Sequence, residues 1–179
     1  MFRHVMATQE ITVREGYHIE HPNRDKASSK VTKLIIILLL LASAALVLIV
    51  TLGGWEKLAG AKAVQVAYVA IYVIMAYYVA RWHRGVLPMA AALAILLGIF
   101  AAIAGPEWFA RDKPGYTAPK LDEPVVGLVT WIIVPVQFLL IAFAMRGFTQ
   151  AWNVEVEVRD GEHYRPGMVD DEGRRTAPA

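Results

Sequence analysis

The chain contains no cysteine. Disulfides, thiolate metal sites, iron–sulfur clusters and thiol nucleophiles are therefore excluded. Charge is absent over four long stretches: 34–55, 63–80, 85–106 and 124–145 hold no Asp, Glu, Lys, Arg or His. Proton pumps, ion-coupled transporters and voltage sensors need ionisable groups within the membrane. Bis-histidine haem ligation would need histidine there, and all five histidines (His4, His18, His21, His83, His163) lie outside these stretches. Ser43 and Thr130 have no partner base in their stretches, so a hydrolytic set at depth is not expected. These gaps predict a chain that is not an enzyme, with no catalytic residue, no metal and no cofactor.

What is present is apolar. Of 179 residues 56% are hydrophobic, with a mean hydropathy of +0.42, against about 45–50% apolar in soluble domains. The charge-free stretches run for 22, 18, 22 and 22 residues. A helix rises about 1.5 Å per residue, so a ~30 Å hydrocarbon layer needs roughly 20 residues. The run Leu34-Ile-Ile-Ile-Leu-Leu-Leu-Leu41 also lacks the polar stripe of a soluble amphipathic helix. The expected fold class is all-α integral membrane: a four-transmembrane-helix bundle with short β-prone cytoplasmic tails. Its parts are an N-terminal tail over 1–33, a membrane domain over 34–146 and a C-terminal tail over 147–179. Ala42-Ser43-Ala44 has the form of a signal cleavage site, but the apolar run continues through Leu52, so retention of this first span is expected.

Helix punctuation agrees with that reading. Gly53-Gly54, Arg84-Gly85 and Gly105-Pro106 are read as closing the first three spans, while Pro88 and Pro124 fall in opening turns. Aromatic residues gather at the expected membrane interfaces, with Trp55, Trp108 and Phe109 at one and Tyr77, Tyr78, Trp82 and Trp152 at the other. The two tails and the link between spans two and three carry thirteen Lys and Arg, the other side five. The positive-inside rule then predicts a multi-pass protein of the cell (inner) membrane with both termini cytoplasmic. The net charge of +2 gives no support for nucleic-acid binding, and the basic cluster 24–33 fits anionic headgroups of the bilayer.

Three groups of residues stand out as candidate contacts. Ala90, Ala94, Gly98 and Ala102 recur every fourth residue in the third span. Such a small-residue ridge predicts close helix packing, because lipid offers no hydrophobic drive to pair helices. Tyr72 and Gln137 both fall near mid-span, so an intramembrane hydrogen bond between them is expected, with a polar pocket for a quinone or lipid at the helix interfaces as the functional reading. Pro135 removes one backbone hydrogen bond in the same span. The long segment 105–123 combines Trp108, Phe109 and Tyr116 with three prolines, which predicts a docking loop.

The tails carry a second pattern. Val13-Arg14-Glu15-Gly16-Tyr17-His18 resembles Val158-Arg159-Asp160-Gly161-Glu162-His163, each preceded by alternating residues. Short strands in both tails are predicted, pairing with each other or with a neighbouring protein. His18, Glu20, His21 and His163 match no ligand spacing and are read as exposed tail residues. Gly54-Trp55-Glu56-Lys57-Leu58 is similar to a short string in the small four-span DoxX-like membrane proteins, and this similarity implies no residue role here. The function expected is a non-catalytic accessory or structural subunit of a larger membrane complex, an energy-transducing one as the proposed host, with other integral membrane subunits as partners. The alternative is a self-associating pore or carrier for a neutral or amphipathic solute.

Overall fold

The computed structural model describes residues 16–111 and 121–166, and the chain divides into two compact units. The larger, Asn23–Asn153, contains four helices long and apolar enough to cross a membrane. They are α2 (Ala27–Gly53), α3 (Lys62–Ala80), α4 (Val86–Ala110) and α5 (Glu123–Thr149). A short helix α1 (Pro22–Asp25) precedes them, and a 3₁₀ turn (Ala59–Ala61) precedes α3.

Each long helix buries one stripe. In α5 that stripe is Val126, Thr130, Ile133, Gln137, Leu140 and Ala144, the three-to-four-residue spacing that keeps one face turned inward. The outward faces are just as apolar: Phe138 is 70% exposed, Ile103 65% and Leu128 58%. That pattern is the reverse of a water-soluble bundle, where the outer face is polar. Packing is uneven. α4 lies along α5 and α2 contacts both α3 and α5, whereas α3 and α4 touch sparsely although a short turn joins them.

All four helices differ in their ends from the charge-free stretches. α2 starts at Ala27 and takes in Ser28–Lys33, because a helix needs backbone hydrogen bonds rather than apolar side chains to continue. α4 does not stop at Gly105-Pro106; it runs to Ala110 with Pro106 inside it, a proline there removing a single backbone donor. The end of α3 also falls elsewhere than at Arg84-Gly85. Its C-cap is Arg81, and Trp82 takes the left-handed conformation with φ +64°. Trp82 N–H donates to Val79 O (2.9 Å) and His83 N–H to Tyr78 O (3.0 Å), the paired bonds of a Schellman ending whose left-handed position usually belongs to glycine. Trp82 meets Trp152 edge to face at 5.3 Å and 88°, and the Lys33 ammonium sits 3.9 Å from a Trp82 ring centroid. These ring contacts offset the backbone strain.

Trp152 itself is fully buried and Trp108 nearly so, so both pack within the protein and not on its outer face. The segment after α5 is pinned to the start of α2. Asn23 Nδ2 donates to Ala151 O (3.1 Å), Arg24 Nε to Trp152 O (2.9 Å) and Gln150 Nε2 to Thr32 Oγ1 (3.1 Å).

The smaller unit joins the two tails. β1 (Tyr17–Glu20) pairs antiparallel with β2 (Val156–Arg159), Tyr17 opposite Arg159 and Glu20 opposite Val156. Gly16 and Gly161 hold φ near +90° beside the strands, where an L side chain would be strained. Among the described residues each strand finds its partner in the other tail. Residues 11–13, expected to be extended, lie outside the described residues.

Candidate functional site

The Tyr72 hydroxyl donates to Gln137 Oε1 at 3.0 Å, and Gln137 Nε2 donates to Ser43 Oγ at 3.0 Å. Ser43 in turn donates to Leu39 O within its own helix (2.7 Å). Tyr72 and Ser43 are fully buried and Gln137 is 1% exposed. A methyl group added at Gly98 would stand 3.6 Å from Gln137 Cβ, so α4 also borders this point. A polar tie of three side chains therefore joins α2, α3 and α5 at the centre of the bundle. Ser43 was not anticipated, although the count along the chain that matched Tyr72 to Gln137 places it at the same depth. Each of these side chains has a partner within the tie, and none lines the cavity described below.

The small-residue ridge is divided. Ala90 and Ala94 are fully buried and Gly98 partly so, but Ala102 is exposed. Four residues turn a helix by about 400°, so each step rotates the stripe by about 40°, and three steps carry Ala102 off the contact face. The buried line instead follows Leu87, Ala90, Ala94, Leu97, Ala101, Gly105 and Trp108. Gly105 lets Trp131 approach, with a methyl there only 2.7 Å from its ring, and Gly127 faces Phe109 and Trp108. The two helices are notched into each other.

The docking group is also divided. Trp108 and Phe109 belong to α4 rather than to a loop, since the helix continues past Pro106. Trp108 packs over Gly54 in the core, with the Arg111 guanidinium 5.0 Å from its ring, while Phe109 is exposed. Tyr116 lies outside the described residues.

No motif predicted the cavity that the bundle holds. A cavity of about 660 Å³ opens at the end formed by the segment 54–61 and the C-terminal half of α4. Its walls are apolar, among them Val47, Val50, Leu97, Phe100 and Ile133; Lys57, Glu107 and Arg111 also border it. Gln65 and Tyr68 line it from α3. The Gln65 side-chain amide meets Thr51 Oγ1 at 2.8 Å, a hydroxyl whose one proton also faces Val47 O at 2.6 Å, so one end of the amide is taken and the other is available. Tyr68 meets Tyr72 edge to face at 5.8 Å and 81°, and so connects the cavity wall to the central tie.

In the strand unit, Glu20 Oε1 lies 2.8 Å from His163 Nδ1 and 3.2 Å from His18 Nε2, and Tyr164 N–H donates to Oε2 at 2.9 Å. The His163 contact first, then the Tyr164 amide and His18, hold the Glu20 carboxyl down at about 2. His21 turns instead to Val154 O (3.3 Å). Among the described residues no three His, Cys, Asp or Glu side chains are arranged to hold a metal ion. No family model, no curated protein and no solved structure matches the chain.

Proposed function

We propose that this chain is a multi-pass protein of the cell membrane, with both termini in the cytoplasm, that acts as a non-catalytic accessory subunit of a larger membrane complex. The observation that carries the role is the closed tie of Tyr72, Gln137 and Ser43. A pore or carrier built by self-association around Tyr72 and Gln137 needs those groups on a surface that copies of the chain could share. They are instead buried at 0% and 1% exposure, inside one chain. Their chemistry is that of interhelical glue. The surfaces left for partners are the apolar outer faces of the helices, which suit lipid and neighbouring spans alike.

The test is extraction from native membranes in mild detergent, size separation under native conditions and identification of whatever co-migrates. A stoichiometric set of other integral proteins is the expected result. Migration alone, or as a homo-oligomer, would overturn the subunit role, and a flux measurement on reconstituted protein would then decide for the carrier.

A further inference from the structure

We propose that the cavity between α3 and α4 is a binding site for a hydrocarbon-tailed molecule with a carbonyl head, held by the Tyr68 hydroxyl and the Gln65 amide. The proposal rests on the membrane reading above but not on the subunit role.

The volume of about 660 Å³ falls within the roughly 300–1,000 Å³ of ordinary ligand pockets. Its shape comes from how the helices pair. α3 is tied to α2 by Thr51–Gln65 and to α5 by Tyr72–Gln137, while α4 is notched into α5 at Gly105 and Gly127. The two helices that flank the cavity are thus each held by others, and the space between them stays open at one end. The apolar walls, among them Val47, Leu97 and Ile133, suit an alkyl or isoprenoid tail.

The polar groups define the head. Tyr68 is 91% buried, since 9% of its surface remains exposed. Among the described residues its hydroxyl has no hydrogen-bond partner, yet no fully inaccessible polar side-chain atom is left unpaired there. The hydroxyl therefore reaches accessible space, and Tyr68 lines the cavity. Gln65 stands one turn earlier on the same face of α3, one end of its amide held by Thr51 and the other available. The Tyr68 O–H is a donor without a partner, and a carbonyl oxygen is the acceptor that suits it, with the free end of the Gln65 amide beside it. Both lie in the first two turns of α3, within about 10 Å of its start at 1.5 Å per residue, just below the charged groups Lys57, Glu107 and Arg111. A quinone ring and the ester carbonyls of a diacyl lipid both present that chemistry at that depth.

Trp108 walls the cavity and supplies the signal. Purified full-length protein in detergent micelles is titrated separately with decylubiquinone and with dioctanoyl phosphatidylglycerol, following tryptophan fluorescence; Trp108→Phe identifies the responding residue. Saturable quenching by the quinone assigns the site to quinones, and a saturable change with the lipid alone assigns it to lipid. In either case Tyr68→Phe should weaken binding about fivefold, the effect of one hydrogen bond of ~1 kcal/mol. Ala104→Phe, which fills the cavity from a partly exposed position, should abolish it. No saturable response to either probe, or an affinity unchanged by both substitutions in protein that still shows the wild-type helical spectrum, would overturn the proposal. Neither result bears on co-migration with other subunits.

Discussion

Replacing Gln137 with methionine tests whether the central tie holds the bundle. Methionine keeps the unbranched shape and removes the amide. Both interhelical hydrogen bonds, Tyr72 to Oε1 and Nε2 to Ser43, are lost together. The consequences for the partners differ. Ser43 retains Leu39 O as an acceptor, whereas the Tyr72 hydroxyl, fully buried, is left with none. Hydrogen bonds between membrane helices average about 0.6 kcal/mol and reach about 1.7, and an orphaned buried hydroxyl costs about 1–3 kcal/mol. Gln137→Met should therefore lower stability by about 1–3 kcal/mol. Tyr72→Phe removes one bond and should cost about 1 kcal/mol. Because the double substitution also removes the orphaned hydroxyl, it should be less harmful than the sum of the singles by about 1 kcal/mol. The assay is reversible unfolding in mixed micelles by dodecyl sulfate titration, read by circular dichroism. Additivity of the two substitutions to within about 0.3 kcal/mol would refute the tie as a stabilising element.

Three further outcomes follow from the geometry. A methyl group at Gly54 would stand 2.5 Å from the ring of buried Trp108, while one at Gly60 meets nothing within 4 Å. Gly54→Ala should thus cost about 1–3 kcal/mol in the same titration and Gly60→Ala less than about 0.5; equal effects would contradict the packing. Trp152→Ala empties a fully buried site beside Trp82 and Gly147 and should destabilise by about 3–5 kcal/mol, with the amides around Trp82 at the end of α3 the first to exchange faster. Glu20 is held at about 2, below its usual 4.5, so its contribution to the strand pair is complete above pH 4.5 and is lost as pH falls toward 2. Amide exchange at Tyr17–Glu20 should accelerate over that window, and Glu20→Gln should remove the acid dependence.

The four helices were legible because a charge-free run of about 20 residues has few other physical uses. Their ends were not, because hydropathy marks where side chains become polar and caps mark where backbone bonding stops. α2 passes through Ser28 and Ser29, and α4 passes through Pro106. Depth along the axis follows from counting residues, which brought Tyr72 to Gln137 and would have brought Ser43 with them. Rotation about the axis is harder to read. A strict four-residue repeat drifts by about 40° a step, so Ala102 left the contact face that Ala90 and Ala94 occupy.

The cavity was beyond such counting altogether, because it lies between two helices that hardly touch. That gap is the outcome of separate attachments. Thr51–Gln65 and Tyr72–Gln137 fix α3 to α2 and α5, while Gly105 and Gly127 fit α4 to Trp131 and Phe109. Each attachment involves residues far apart in the chain, and none encodes the gap by itself. Tyr68 illustrates the consequence. It shares a helix face with Tyr72, and its ring packs there at 5.8 Å. One turn separates the two hydroxyls, yet the Tyr72 hydroxyl meets Gln137, and Tyr68 borders the space that α4 leaves open. The same residue type on the same helix face is thus structural in one turn and available for binding in the next. What decides between them is the neighbouring helix, not the residue.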